Sequence, residues 1–369
     1  MSRLPKDQRE GIQKKLLKWF QENQRPLPWR QDYSPYSIWI SEIMLQQTQM
    51  KRVVDTFQRF THRFPTIGSL ASASREEILK YWEGMGYYSR VKYIHETAKI
   101  LDRDYDGEFP KDHETLLSLP GIGPYTAGAI MSIAFNEDFP LVDGNVERVF
   151  ARLFNIQKPV KERESQTFIW AMAEALIPKG QTRSFNQALM ELGATVCLPK
   201  RAGCAGCPVK EDCKSLHLGK VGEIPVPGKQ KKTTPRITVL GVLSHQGTIL
   251  IRKRPPSGLM PDLWEFPGTE VKREETPEDA LAREFKRKFG FNIFCVDKIG
   301  VIRHHYTSFK VTLHSFLCRS QHNPGISIPL IWPNTRWVRV GELDELPFPS
   351  SNRKLIKVIG KEKFRSQLL

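Results

Sequence analysis

Apolar residues recur at helical spacing through the N-terminal part of the chain. In residues 8–22 the apolar side chains that share one face are Ile12, Leu16, Trp19 and Phe20. A stripe of this kind predicts an amphipathic helix. The same spacing predicts further helices over residues 36–60, 67–73, 74–83, 88–102, 112–119, 125–135, 161–178 and 184–196. The N-terminal part is therefore predicted to be all-α.

The period of apolar residues changes to two in the C-terminal part. The runs ITVLGVL and TILIRKR flank a turn at residues 245–247 and together predict a hairpin. Thr276 is placed to cap a helix that ends near Gly290, and strand-like runs follow at residues 291–302, 310–318 and 336–340. Residues 217–236 are rich in proline, glycine and lysine, so we predict a linker there, followed by a separate α+β domain.

Charge points to a class of partner. The 369 residues include 56 lysines and arginines against 40 aspartates and glutamates, a formal net charge of +16. This excess favours a polyanion such as nucleic acid, although a basic surface without a partner would give the same count. We find no apolar run long enough for a membrane and no apolar signal region at the N-terminus, so we expect a cytoplasmic protein.

Gly121 and Gly123 bracket a tight turn in the run LPGIGPYTA. Pro124 follows where a helix would begin, and a proline there loses no hydrogen bond because that N–H has no partner within a helix. Backbone N–H groups at such a turn and helix start form a nest for an anion such as a phosphate. The run is typical of a helix–hairpin–helix motif, and the alternative is a turn that only joins two packed helices.

Two acidic residues, Glu42 and Asp143, stand out by their surroundings. Glu42 has apolar neighbours at helical spacing, among them Ile38 and Leu45, so burial is expected to raise its pKa. Asp143 comes just before Asn145, a natural helix cap, and a helix N-terminus favours a charged carboxylate. Each acid alone could be structural. Together, with pKa values pushed apart, they are typical of acid-assisted cleavage of a glycosidic bond.

The run WEGMGYY at residues 82–88 sets two glycines among aromatic side chains. Such a loop could present Tyr87 to stack on bases or to wedge between them. The alternative is that these aromatic side chains hold a turn against the core.

Four of the six cysteines, Cys197, Cys204, Cys207 and Cys213, fall in one short loop. In a cytoplasmic chain such a cluster indicates a metal site rather than disulfides. Zinc sites with four cysteines usually contain two CxxC-type pairs, and this loop has one. An iron–sulfur cluster tolerates uneven spacing better, so the spacing favours a cluster and leaves zinc open.

The hairpin, the aspartate and the cysteine loop, in this order, resemble the helix–hairpin–helix DNA glycosylase superfamily. The cysteine spacing matches the superfamily's loop for one 4Fe–4S cluster. Members of the endonuclease III type carry a lysine at the position of Tyr125, and without an amine there no Schiff base forms. The run SEIMLQQTQ, which contains Glu42, and the second domain resemble the adenine DNA glycosylases of the MutY type, which remove adenine mispaired with 8-oxoguanine.

The resemblance implies a role for each matching residue. Glu42 would protonate the adenine ring and later activate water, and Asp143 would stabilise or trap the sugar cation. Tyr125 and Asn145 would orient these acids by hydrogen bonds. The positions that match the lining of a flipped adenine, or the side chain that fills the gap in the duplex, are Trp29, Arg30, Leu45, Gln47 and Tyr87. Flipping is required because the glycosidic bond is inaccessible within a base stack.

The C-terminal domain resembles a Nudix domain. Arg287 and Lys288 stand where a hydrolytic Nudix helix carries paired glutamates, and basic residues there would repel magnesium. We therefore interpret the domain as a recognition module without hydrolysis. In adenine glycosylases this module reads the 8-oxoguanine strand, often through a Phe-Ser-His loop. The best-matching stretch here is Tyr306-Thr307-Ser308, which makes Thr307 a predicted DNA contact.

The resemblance also implies an organisation and a partner. We expect a nucleoid-associated monomer that binds double-stranded DNA holding adenine opposite 8-oxoguanine or guanine. The expected parts are an N-terminal segment (1–28) that packs with the iron–sulfur subdomain, a six-helix subdomain (29–135), the iron–sulfur subdomain (136–216), the linker (217–236) and the Nudix-like domain (237–369).

Three other functions fit parts of the sequence. A glycosylase/lyase for oxidised pyrimidines would need an amine where Tyr125 stands. A Nudix pyrophosphohydrolase tethered to a DNA-binding module would need acids in place of Arg287 and Lys288. A DNA-binding protein without catalysis would lose nothing when Glu42 is changed to glutamine.

Overall fold

The computed structural model describes residues 4–228, 233–305, 309–321 and 334–361. The chain divides into two units, the first made of Met1–Ser72 with Tyr93–Gln230 and the second of Ala73–Lys92 with Lys231–Leu369. Among the described residues, no helix has the length and apolar character needed to cross a bilayer.

The first unit is all-α, as predicted. The helices of this part of the chain are α1 (Lys6–Asn23), α2 (Pro35–Leu45), α3 (Met50–Arg63), α4 (Ile67–Ser72), α5 (Arg75–Tyr81), α6 (Ser89–Asp104), α7 (His113–Ser118), α8 (Pro124–Ala129), α9 (Gly144–Phe154), α10 (Arg163–Ala175), α11 (Thr182–Thr195) and α12 (Lys214–His217). Of these, α5 belongs to the second unit, and α6 begins in the second unit and ends in the first.

Helix α2 runs through the interior of the first unit. Ser34 caps it by accepting a hydrogen bond from the Ser37 N–H at 3.1 Å, and residues 38–44 are all buried. The helix ends before Gln47, which has a left-handed φ of 56°. The single helix predicted over residues 36–60 is therefore two helices, α2 and α3, with a break between them.

Helices α7 and α8 are the two arms of the predicted hairpin. Gly121 has a φ of 75°, and a Cβ at this position would lie 2.6 Å from the Cβ of Tyr93. Only glycine fits both conditions. Helix α8 begins at Pro124, as predicted, and continues as a π-helical turn over Ile130–Ala134.

The second unit contains the α+β fold that the change of period predicts. Its strands are β1 (Thr234–His245), β2 (Thr248–Lys253), β3 (Trp264–Glu265), β4 (Gly268–Glu270), β5 (Ile293–His305), β6 (Phe309–Ser320) and β7 (Thr335–Arg339), and its further helices are α13 (Pro277–Phe289) and α14 (Ser350–Ile359). The described strands form one sheet in the order β3-β2-β1-β6-β5, with β4 paired to β1 and β7 to β2. Strands β1 and β6 are parallel, and the other pairs are antiparallel.

Both faces of this sheet are covered, because residues of β1 alternate between two cores. Val239 and Leu243 pack with Phe285 of α13 in one core. Leu240 and Val242 pack in the other core, which includes Leu355, Ile356 and Ile359 of α14. Apolar residues on both faces explain why β1 reads as a nearly continuous apolar run.

The predicted β1–β2 hairpin is present. His245 pairs with Thr248 across a turn formed by Gln246 and Gly247, which have φ values of 47° and 74°. Two left-handed residues suit the twist of a two-residue hairpin turn.

Strand β5 lies at an edge of the described sheet. Its pairing with β6 shifts register twice, once between Cys295 and Asp297 and once between Lys298 and Gly300. Bulges of this kind bend and twist a strand locally.

Candidate active site

A cavity of about 570 Å³ in the first unit brings together most of the residues predicted to act on the substrate. Glu42 from α2 and Asp143 at the start of α9 both line it. The other predicted residues in its lining are Trp29, Arg30, Leu45, Gln47, Tyr125 and Asn145. Residues far apart in the sequence therefore share one chamber of a size suited to a nucleobase and its sugar.

Glu42 is the acid most suited to hold a proton near neutral pH. Its side chain is buried, and the hydroxyl of Tyr125 donates a hydrogen bond to its Oε2. Burial raises the pKa of Glu42 to about 7. The hydrogen bond from Tyr125 and the charge of Arg30 oppose this rise, and the charge of Asp143 adds to it. The predicted rise in the pKa of Glu42 is therefore confirmed.

Tyr125, the second residue of α8, is a fixed donor in this cavity. Burial raises the pKa of its hydroxyl well above the usual value, and the nearby carboxylates of Glu42 and Asp143 act in the same direction. The hydroxyl therefore keeps its proton and can donate it in a hydrogen bond to Glu42. Its side chain offers no amine to the cavity.

Asp143 is held by the first turn of α9. One carboxylate oxygen accepts hydrogen bonds from the N–H groups of Asn145 at 3.0 Å and Val146 at 2.8 Å, and the other accepts one from the Asn145 side-chain amide at 2.7 Å. The helix cap is therefore Asp143 itself. The sequence interpretation named Asn145 as the cap, which is two residues too late, whereas its alternative of a capping role for Asp143 is confirmed.

The expected lowering of the Asp143 pKa is also wrong. Burial raises the pKa of this carboxyl, and the hydrogen bonds from Val146 and Asn145 only partly counter that effect. The sequence shows the helix start but not the depth of the chamber around it. Glu42 is thus a buried acid and Asp143 a half-buried one, and Asp143 is the one surrounded by donors to its charged form.

Asn145 is positioned from two sides. Its side-chain oxygen accepts a hydrogen bond at 2.9 Å from Arg148, which also donates to the carbonyl of Gly193 at 2.6 Å and to that of Cys197 at 2.7 Å. A Cβ on Gly193 would lie 2.5 Å from the Cβ of Asn145, so α11 approaches the start of α9 as closely as glycine permits. The amide that orients Asp143 is therefore fixed in place.

The cavity also contains residues that the sequence interpretation missed. Glu191 on α11 is buried, and its carboxylate accepts hydrogen bonds from both Arg25 and Arg30, the latter at 2.7 Å. Arg30 donates further to Gln187 at 2.9 Å and to the carbonyl of Arg25 at 2.9 Å. The guanidinium of Arg30 thus forms part of the wall. The available signal was the pair of polar residues Gln187 and Glu191, one turn apart on α11.

Tyr87 lies in the second unit, on the loop between α5 and α6, and 45% of its surface is exposed. The loop is strongly bent, with φ values of 86° at Gly84, 67° at Gly86 and 45° at Tyr87. Arg90 donates to the carbonyls of Met85 at 3.1 Å, Gly86 at 3.0 Å and Tyr87 at 3.3 Å. An exposed aromatic ring on a braced loop is consistent with the predicted wedge.

The four cysteines of the predicted metal loop line one apolar cavity. Arg152, which is buried, donates to the sulfur of Cys197 at 3.3 Å. Among the described residues, no three His, Cys, Asp or Glu side chains converge closely enough to hold a single metal ion. A 4Fe–4S cluster makes no such demand, because each thiolate binds a different iron. Four free thiols around one cavity, with a cationic donor to sulfur, fit this cluster.

Comparison with known proteins defines the class. The family model for the HhH-GPD superfamily base excision DNA repair protein matches residues 40–173, and that for the NUDIX domain matches residues 238–358. A solved thermostable thymine-DNA glycosylase superimposes with a TM-score of 0.53 and 29% identity, covering 57% of this chain and 98% of that one. The fold is that of a helix–hairpin–helix DNA glycosylase followed by a Nudix-like domain.

Curated relatives narrow the class. The adenine DNA glycosylase of Mus musculus is 32% identical over 397 residues, which cover 93% of this chain and 76% of that protein. The adenine DNA glycosylase of Buchnera aphidicola is 32% identical over 305 residues, covering 82% of this chain and 85% of that protein. The chain belongs to the adenine DNA glycosylase family of base excision repair.

Proposed function

We propose that this protein hydrolyses the N-glycosidic bond of adenine opposite 8-oxoguanine or guanine in duplex DNA, after the adenine has flipped out of the stack. The observation that carries the proposal is one chamber that holds Glu42, with a pKa of about 7, and a hydrogen-bonded Asp143. The product is an abasic site.

Glu42 and Asp143 have different roles in the proposed reaction. Glu42 gives its proton to the adenine ring, so the base leaves as a neutral molecule and the sugar becomes an oxocarbenium-like cation. Asp143 stabilises or traps that cation. Asn145 and the first turn of α9 hold the Asp143 carboxylate in a fixed orientation toward the sugar. Glu42, now charged, activates the water that completes hydrolysis. Tyr125 holds the Glu42 carboxyl in orientation throughout.

The proposed enzyme is monofunctional. Strand cleavage by a lyase route needs an amine that forms a Schiff base with the sugar. Tyr125 occupies the matching position, and its hydroxyl donates to Glu42. We therefore expect base release without strand nicking, in contrast to a glycosylase/lyase for oxidised pyrimidines.

DNA would be held by the hairpin and the exposed aromatic ring. Helix α8 starts after Gly123 without a side-chain cap, so backbone N–H groups at its first turn are available to a phosphate. Gly121 and Gly123 would shape this contact, and Tyr87 would fill the gap that the flipped base leaves. We propose that the protein binds DNA as a monomer.

The Nudix-like domain would serve recognition. Glu284, the buried glutamate of α13, forms ion pairs with Arg287 at 3.0 Å and Lys288 at 2.7 Å. Burial alone would raise the pKa of Glu284, but hydrogen bonds from Lys288 and Arg287 lower it, and its charge is already neutralised. These contacts support a domain that does not hydrolyse nucleotides. Thr307, the predicted contact to the 8-oxoguanine strand, lies outside the described residues.

We propose one 4Fe–4S cluster bound by Cys197, Cys204, Cys207 and Cys213. Its role in this chain would be structural, to hold the loop beside α9. Burial raises the pKa of the Cys207 thiol to about 11, so a bound cation is needed to keep it as a thiolate at neutral pH.

Changing Cys207 to serine should remove the cluster and lower the melting temperature. Iron, sulfide and visible absorption measure the first effect, and thermal denaturation measures the second. Cys295→Ser, which alters a half-buried thiol of the second unit, is the matched control and should keep full iron. Wild-type protein that contains zinc in place of iron would contradict the assignment.

A single-turnover assay on duplexes tests the function. Adenine should be released opposite 8-oxoguanine and guanine but not opposite thymine, and the strand should remain intact until alkali is added. Nicking that accompanies base loss would favour the lyase. Equal release from all three duplexes would contradict recognition of the mispair.

A further inference from the structure

The loop that carries Tyr87 is tied to the sheet of its own unit by a row of ion pairs. Arg75 meets Asp262 at 3.0 Å and Glu76 meets Lys253 at 2.8 Å. Lys80 donates to the backbone carbonyl of Asp344. Helix α5 therefore presents a succession of charged side chains to β2, the segment before β3 and the segment after β7.

The pair at the end of this row has the most demanding geometry. Glu83, directly before the loop, accepts two hydrogen bonds from Arg353 of α14, from Nε at 2.5 Å and from Nη2 at 3.0 Å. Only 18% of the Glu83 side chain and 16% of the Arg353 side chain are exposed. A bidentate and largely shielded arginine–carboxylate pair fixes both the distance and the orientation of its partners.

Arg353 is itself held in place. Its guanidinium donates to the carbonyls of Leu343 at 3.0 Å and Leu346 at 2.6 Å, and it pairs with Asp344 at 2.9 Å. It also lies over the ring of Phe348. The arginine is thus a fixed point of the sheet domain to which Glu83 attaches.

The loop passes this constraint on to Tyr87 because it is internally rigid. Trp82 donates from its ring nitrogen to the carbonyl of Gly86 at 3.2 Å. Arg90 binds three consecutive loop carbonyls, ending with that of Tyr87, and its guanidinium stacks on the rings of Trp82 and Tyr87. Moving Glu83 would therefore move the ring of Tyr87.

We propose that Glu83 and Arg353 are positioning residues through which the C-terminal domain sets the Tyr87 loop for extrusion of the adenine. The inference rests on the proposed function. It assigns the Nudix-like domain a second task, separate from its own contacts with DNA: the domain holds the residue that replaces the flipped base.

Amide hydrogen exchange on the full-length protein tests the attachment without any need for activity. In Glu83→Ala, amides of residues 84–88 should exchange about tenfold faster than in the wild type, because the hydrogen-bonded ion pairs of Glu83 with Arg353 and Lys80 are lost. This variant leaves the bonds of Arg353 to Leu343, Leu346 and Asp344 intact. Unchanged exchange in the loop would overturn the inference.

A matched control lies in the same unit. Glu275 accepts two hydrogen bonds from Arg283, at 2.6 and 3.0 Å, in a pair that does not involve the Tyr87 loop. Glu275→Ala should leave exchange at residues 84–88 as it is in the wild type. Equal acceleration in both variants would mean general loosening of the domain, which also overturns the inference.

Base extrusion is the functional readout. With 2-aminopurine in place of adenine opposite 8-oxoguanine, the fluorescence rise on binding should be about tenfold slower in Glu83→Ala and unchanged in Glu275→Ala. Arg353→Gln should have a similar effect, and the double variant should be no worse than the more impaired single variant. Strictly additive effects, or faster exchange with normal extrusion, would overturn the positioning role. Wild-type protein that releases no adenine would instead overturn the proposed function.

Discussion

Changing Glu42 to glutamine is expected to slow adenine release by about 10²–10⁴-fold, the range that a positioned general acid contributes. Glutamine keeps the shape of the side chain and an oxygen that can accept the Tyr125 hydrogen bond. It has no acidic proton to give. Single-turnover rates on a duplex with adenine opposite 8-oxoguanine measure the effect.

The matched control is Glu147→Gln, which alters another buried glutamate of the first unit. Glu147 accepts hydrogen bonds from Lys161 at 2.8 Å and Gln166 at 2.7 Å. Its variant should cleave at nearly the wild-type rate. A Glu42→Gln protein with full activity would exclude Glu42 as the acid.

The pH dependence of adenine release is a second test of Glu42 as the acid. In the proposed mechanism Glu42 acts in its protonated form, and burial raises the pKa of this carboxyl to about 7. The wild-type rate should therefore fall by about tenfold per pH unit above that value. The residual rate of Glu42→Gln should lack this alkaline decline. A decline that persists in the variant would assign it to another group.

Changing Asp143 to asparagine is expected to slow adenine release by about 10²–10³-fold, comparable to the loss of one oriented group that stabilises transition-state charge. Asparagine caps a helix about as well as aspartate. Its one oxygen can still accept hydrogen bonds from the N–H groups of Asn145 and Val146, and only the bond from the Asn145 side-chain amide is lost. Single-turnover rates should therefore fall while the melting temperature stays close to that of the wild type.

Asp112→Asn provides the comparison for this substitution. Asp112 caps α7 by accepting the N–H of Thr115 at 2.7 Å, so the change is chemically the same at a second helix start. It should leave the chemical step unaltered. If both variants lose rate equally, the effect belongs to helix capping and not to the charge of Asp143.

Local rules predicted the parts of the fold in which neighbouring residues decide the structure. Pro124 starts α8, and Gly121 supplies the left-handed φ that the turn before it needs. Thr276 caps α13, and Gly290 ends it in a left-handed conformation. Each of these depends on residues a few positions apart. The period of apolar residues likewise separated the helical part from the sheet.

Long-range packing decided what the sequence interpretation missed. The pKa of Asp143 rises because distant segments bury it, and nothing within a few residues of Asp143 signals that. Glu191 reaches the cavity from α11 and fixes Arg30. The grouping of residues 73–92 with the sheet domain depends on partners such as Arg353, far along the chain. No pattern of spacing contains that information.

The two register shifts in β5 affect the tendency of the protein to aggregate at high concentration. Phe294 and Val296 are about half exposed on this strand, at 49% and 50%. An apolar edge strand tends to pair with a strand from another molecule. The register shifts beside these residues interrupt the regular row of backbone N–H and C=O groups with which a strand from another molecule would have to pair. Edge-to-edge pairing of sheets from different molecules, and aggregation by that route, are thereby discouraged.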